Sequence, residues 1–205
     1  MRVYGHPWSA RLRAVRMLCL ELDIDCTIEE LPAAGRAYVP EALEPMCRAP
    51  VLEDGDWTLT QAPAILCHLA AGHAGWCPRD GRIAGEMLQW LCWDAAILAP
   101  LAGAYAHARI FSDTGEAASL RPVEADLMRV LREVDMLLSE RQFTLGCNPS
   151  VADLAIFANV AYLSAGGWSL EGFSALSAWY RAMSGRPAAR ASRYVFRSHT
   201  EGCGL

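Results

Sequence analysis

Strand and helix signals alternate along this chain only as far as residue 76, and from residue 82 onward only helical spacing remains. A fold for it must therefore join an α/β half to an all-helical half. Arg2-Val-Tyr4 is a short β run stopped by Gly5 and Pro7. Leu12, Val15, Leu18, Cys19 and Leu22 then recur at helical spacing behind Ser9, a good N-cap residue. Residues 26–31 alternate as a strand does, and residues 36–44 hold a short helix before Pro45. Residues 50–59 read as a hairpin turning at Asp54-Gly55. Helical spacing resumes from Pro63 to Ala71. The predicted order is β-α-β-α-β-β-α over residues 1–76, followed by an all-helical domain over residues 82–205.

In the second half, residues 82–111 form a long apolar helical run that Pro100 should kink or divide. Gln89, Asp94, Pro100 and His107 interrupt its most apolar part, so a buried helix is expected rather than a membrane span. Residues 121–141 are amphipathic, with Leu127, Val130, Leu131, Val134, Leu137 and Leu138 on one stripe. Residues 150–164 are nearly all apolar and belong in the core; residues 173–183 and 187–196 are two further helices.

All 18 basic residues are arginine, against 23 acidic ones, for a net charge of −5. Without lysine there is no Schiff-base chemistry and no Walker-type phosphate loop. An acidic chain also makes a poor polyanion binder, so no nucleic-acid partner is expected. With 53% apolar residues the chain has the material for a real core. Its eight cysteines contain no C-x-x-C, and most sit in apolar segments as small buried hydrophobes. The grouping Cys67, His68, His73 and Cys77 matches no common zinc spacing, so no metal is expected. Reduced thiols and an N-terminus unlike a secretory signal suggest a cytoplasmic protein.

Three junctions carry chemistry. In Gly5-His-Pro-Trp-Ser-Ala-Arg-Leu-Arg-Ala-Val-Arg16 a hydroxyl stands at a helix start, where backbone N–H groups and the helix dipole favour negative charge such as a thiolate. Ser9 is equally able to serve as a plain cap there. In Leu43-Glu-Pro-Met-Cys-Arg-Ala-Pro-Val-Leu52 a proline directly precedes a strand, the setting of a cis proline. In Leu59-Thr-Gln-Ala-Pro-Ala-Ile65 a strand ends in a new helix start, a second anion-favouring position.

In this order and spacing the three junctions resemble those of the cytosolic glutathione S-transferases, of a bacterial type with a serine active site. The resemblance implies a thioredoxin-like glutathione-binding domain followed by a helical bundle that supplies the second-substrate site. It implies that Ser9 donates a hydrogen bond to the glutathione thiolate and that Arg48 meets a glutathione carboxylate. Pro50 matches the family's cis proline, with the Val51 backbone pairing to the cysteinyl part of the tripeptide. Gln61-Ala62 stands where the family grips the γ-glutamyl end. Gln61 fits that pattern, whereas Ala62 keeps only the backbone N–H and lacks the family's hydroxyl. A lost hydrogen bond to a charged group costs roughly 1.5–3 kcal/mol. Glu44 and Cys47 depart from the family's Asn and Gly.

Further along, Ser150 and Asp153 resemble the family's buried capping motif, a folding element. Trp8, Trp93, Tyr105 and Arg109 are the expected second-substrate residues, the middle two on a stripe running Trp93, Ile97, Leu101, Tyr105. His6 and His107 are possible proton carriers. The implied activity is addition of the glutathione thiolate to an electrophilic small molecule, by a homodimer. Glutathione-dependent cis–trans isomerisation, and a non-enzymatic binding or regulatory protein on the same fold, remain open alternatives.

Overall fold

The computed structural model describes residues 1–31, 49–111 and 120–194. The helix expected over residues 36–44 lies outside them. Strands β1 (Arg2–Gly5), β2 (Thr27–Glu30), β3 (Val51–Asp54) and β4 (Trp57–Thr60) form one sheet in the order β2-β1-β3-β4. Strand β1 runs parallel to β2 and antiparallel to β3. Parallel neighbours need a crossover, and helix α1 (Ala10–Glu21) provides it. The β3–β4 hairpin pairs Asp54 with Trp57, leaving a two-residue turn. Gly55 supplies the positive φ of 64° that such a turn needs at its first position. Helix α2 (Ala62–Leu69) follows β4.

The remaining helices are α3 (Gly81–Trp93), α4 (Ala99–Phe111), α5 (Arg121–Glu140), α6 (Val151–Ala165), α7 (Ser174–Ser184) and α8 (Pro187–Ala191). Residues 81–111 are one continuous run, divided by a π-helical turn at Asp94–Leu98 rather than by a break at Pro100. There the Ala99 N–H reaches back five residues to the Asp94 carbonyl. Proline at position 100 has no N–H to donate and its ring crowds the preceding turn. The wider π turn lies directly ahead of it. This run is long and apolar enough by composition to cross a membrane. Its Leu91, Leu98 and Ala102 are core residues, and α4 packs on α5 and α6.

Helix α6 is the centre of the molecule, with every residue from Val151 to Leu163 buried. It packs on α1 of the first domain and on α4 of the second. A Cβ at Gly166, just past its end, would lie 2.9 Å from the Ala106 backbone, so only glycine permits this approach of α4. Ser150 caps α6, its hydroxyl accepting from the Ala152 N–H at 3.2 Å. Asp153 completes the capping box by accepting from the Ser150 N–H at 2.9 Å. The same buried carboxylate accepts from the Thr144 N–H and hydroxyl and from the Trp179 indole. The capping reading of this pair therefore holds, and it extends to the loop before α6 and to α7. Of the six stripe positions on α5, Leu127, Val130, Leu131, Val134 and Leu138 are buried, and Leu137, at the edge of the stripe, is half-buried. At the outer edge, Arg186 pairs with Glu21 through two bonds of 2.6 and 2.7 Å, tying the α7–α8 junction to α1.

Candidate active site

Ser9 stands at the N-cap of α1 in extended conformation, φ −74° and ψ 122°. Its backbone N–H donates to the His6 carbonyl at 2.9 Å, and its Oγ accepts from the Leu12 N–H at 3.3 Å. The two readings of Ser9 are compatible. Capping uses a lone pair of the hydroxyl oxygen, and the O–H proton stays available to a ligand.

A cavity of about 310 Å3 opens over this cap, between the two domains. The first domain contributes His6, Trp8, Ser9, Ala10 and Arg11, together with Ala49. Helix α4 contributes Ala99, Gly103 and His107, and α6 contributes Asn159 and Tyr162. The Ala49–Pro50 peptide bond is cis. Trp8 stacks on His6 with centroids 5.0 Å apart and meets Phe111 edge-on at 5.8 Å. His107 tilts against the same Phe111 at 4.7 Å, so an aromatic wall bridges the domains. His6 Nδ1 is buried without a hydrogen-bond partner among the described residues.

Behind the cavity, Asn159 Nδ2 donates to the Asp94 carboxylate at 2.8 Å. Burial pushes the Asp94 carboxyl up to about 7, with the Asn159 bond and the Arg11 charge pulling the other way. Burial likewise pushes the Tyr162 hydroxyl up to about 12. Among the described residues the lining carries Arg11 and two histidines and no carboxylate.

The third junction is also distinctive. Gln61 precedes α2 with φ 70° and ψ 115°, a strained conformation for a residue with a side chain. No side chain caps α2, and Pro63 lacks an N–H, so the Ala62 and Ala64 N–H groups lie in its uncapped first turn.

A family profile described as "Glutathione S-transferase, N-terminal domain" matches residues 3–76. Glutathione S-transferase 4 of Zea mays is 30% identical over 201 residues, covering 92% of this chain and 90% of the relative. The chain belongs to the glutathione S-transferase family. Glutathione S-transferase 2 of Anopheles gambiae is 28% identical over 187 residues, covering 88% of each chain. Among solved structures, a glutathione S-transferase from Pseudomonas fluorescens superposes with a TM-score of 0.83 at 23% identity, covering 91% of this chain and 96% of that one.

Within this family member the expected site residues are distributed unevenly. Ser9 and Trp8 line the cavity, and Pro50 carries the cis bond. Arg48 lies outside the described residues. Val51 is fully buried, with its backbone between Tyr4 of β1 and Thr60 of β4. Both flanks of that strand are occupied by ladder partners, and among the described residues of this segment Ala49 lines the cavity.

The stripe on the long helix is out of phase. Tyr105 is buried against Trp168, and Trp93 packs on Trp90. Neither they nor Arg109 line the cavity, whose α4 wall is Ala99, Gly103 and His107. An α-helix turns roughly 100° per residue, and a π turn inserts an additional residue. A stripe extrapolated from Trp93 through Asp94–Leu98 therefore loses its face. Arg11, Asn159 and Tyr162 also line the cavity, and none of them is itself a residue by which a motif marks a site in the sequence. Asn159 and Asp94 each interrupt the apolar part of a mostly buried helical run, and that is the signal the sequence carries for them.

Proposed function

We propose that this protein is a serine-type glutathione transferase that holds glutathione as a thiolate against Ser9 and adds it to a small electrophile in the interdomain cavity. The observation that carries this reading is the Ser9 cap beside the cis Ala49–Pro50 junction at one cavity. The Ser9 O–H donates to the sulfur while its oxygen keeps the Leu12 N–H. Donor and helix dipole together favour the charged form of the thiol. Ala49, next to the cis bond, offers backbone groups to the cysteinyl part of the tripeptide. Gln61 and the uncapped N–H groups of α2 face the γ-glutamyl end, with Ala62 giving only its backbone, and Arg48 takes a carboxylate.

The thiolate then attacks the electrophile's carbon, forming the C–S bond while the leaving group departs or a proton is taken up. Orientation of two bound reactants supplies much of the rate gain. Trp8 and Phe111 offer apolar contact to the electrophile, and His107 is placed to deliver a proton.

A homodimer in the cytoplasm completes the reading. Ile83, Leu88 and Ile97 remain exposed on α3 and the π turn, in support of pairing. The free thiols among the described residues support a reducing compartment. Calorimetry with glutathione tests the core of the proposal: binding at or below millimolar concentration is expected, and none at that level overturns it. Light scattering that returns a monomer overturns the dimer alone.

A further inference from the structure

Cys19 stands in the last turns of α1 and Cys26 just before β2. The chain between them reverses tightly. Asp23 takes the left-handed conformation, φ 51°, and the Ile24 N–H donates back to the Cys19 carbonyl at 2.9 Å. This is the wrap of a Schellman-type helix end. On the far side of Cys26, the Thr27 N–H donates to the Met1 carbonyl at 3.1 Å, where the β1–β2 ladder begins. Backbone bonds thus hold Cys26 from both sides, and its thiol meets that of Cys19 in a hydrogen bond.

The two thiols differ in exposure and in charge. Cys19 belongs to the core and is 6% exposed, whereas Cys26 is half-buried and open to small molecules. Their shared hydrogen bond, with burial, pushes the Cys19 thiol up. The same hydrogen bond pulls Cys26 down to about 7, against its burial and the charge of Asp25. Cys26 is therefore partly thiolate at neutral pH, the form that oxidants meet. Asp23 and Asp25 are exposed in the same turn, so an uncharged oxidant approaches more readily than an anion. Cys67 and Cys77 also meet in a hydrogen bond, but burial pushes the Cys67 thiol up to about 11, and it stays protonated.

We propose that Cys19 and Cys26 are a modification site, at which a small uncharged hydroperoxide converts the pair to a disulfide. The Cys26 thiolate attacks one peroxide oxygen and the O–O bond breaks. The departing oxygen takes the proton that Cys26 released and leaves as an alcohol or water, with Cys26 now a sulfenic acid. The Cys19 sulfur then attacks the Cys26 sulfur. An S–S bond forms, the S–O bond breaks, and water leaves with the Cys19 proton. Two electrons pass from the dithiol to the peroxide. Neither cysteine lines the cavity at Ser9, and the site does not depend on the glutathione reading.

Brief treatment of the full chain with hydrogen peroxide at neutral pH, then alkylation in urea and tryptic mass spectrometry, is the test. Cys19 and Cys26 fall together in the peptide of residues 17–36, and Cys67 and Cys77 in that of residues 49–79. The first peptide should lose two hydrogens and both alkylation sites, and regain them under dithiothreitol. The second should stay fully alkylated at the same dose. No such loss in the first, or an equal or earlier loss in the second, overturns the proposal. Cys19→Ala should stop at a Cys26 sulfenic acid that dimedone captures, and Cys26→Ser should leave Cys19 unoxidised. A missing adduct in folded Cys19→Ala, or oxidation of Cys19 in Cys26→Ser, also overturns it. The natural protein and Cys26→Ser decide the matter alone where Cys19→Ala fails to fold.

Discussion

Asn159 of the core helix donates its side-chain amide to Asp94 of the π turn at 2.8 Å, joining two buried polar residues from different helical runs. Burial disfavours the charged form and pushes the carboxyl so held up to about 7. The unfolded chain releases that proton near the ordinary value of 3.8. Between about pH 4 and pH 7 the unfolded state therefore binds fewer protons than the folded one, and stability falls as pH rises. Above that window the loss is complete. Asp94→Asn keeps an acceptor for Asn159 and removes the titration. Its melting temperature should exceed that of the natural protein at pH 8, with the difference vanishing toward pH 4. A constant difference across pH would contradict the assignment.

Ser9→Ala removes two things that separate measurements resolve. Loss of the cap should cost about 1 kcal/mol in urea unfolding. Loss of the O–H donor should raise the bound thiol's pKa by about one unit or more in a pH–rate profile. Ser9→Thr should retain both. A stability loss with an unmoved profile would leave Ser9 as a cap only.

Ala62→Ser restores a hydroxyl at the first residue of α2, where a neighbouring carboxylate would meet it. Glutathione affinity should rise roughly tenfold to a hundredfold, the equivalent of one charge-assisted hydrogen bond. Unchanged affinity by calorimetry would show that the γ-glutamyl end binds elsewhere.

Asp153→Ala strips acceptors from Thr144, Ser150 and Trp179 at once, all within a buried cluster. Stranding several buried donors should destabilise the fold by at least about 3 kcal/mol, read as a lower urea midpoint. Glutathione affinity per folded molecule should be unaffected, since Asp153 does not line the cavity.

Local signals with local causes were legible in the sequence. Ser9 and Ser150 are caps because a short hydroxyl precedes helical spacing, and both are caps in the structure. Asp54-Gly55 marks the hairpin because the turn needs a positive φ, and Gly55 has it. The second-substrate wall was less legible because its phase depends on how many residues the π turn holds, and apolar spacing alone does not count them. Ala49 was hidden by its neighbours, since the cis Pro50 directs the backbone of the residue before it. Arg11 and Arg13 stand two positions apart on α1, with nothing in the local sequence to tell their surroundings apart. Only the packing of α6 and α8 against α1 separates their surroundings.

The turn at Asp94–Leu98 has a consequence for how such a site changes over generations. Whether His107, rather than a neighbour, lines the cavity beside Ser9 is set by a residue count upstream of it. Loss of one codon there would rotate every following position of α4 by roughly 100°. A new set of side chains would then line the cavity with no substitution among them. An in-frame deletion is thus a route to a different electrophile that point changes would take several steps to reach.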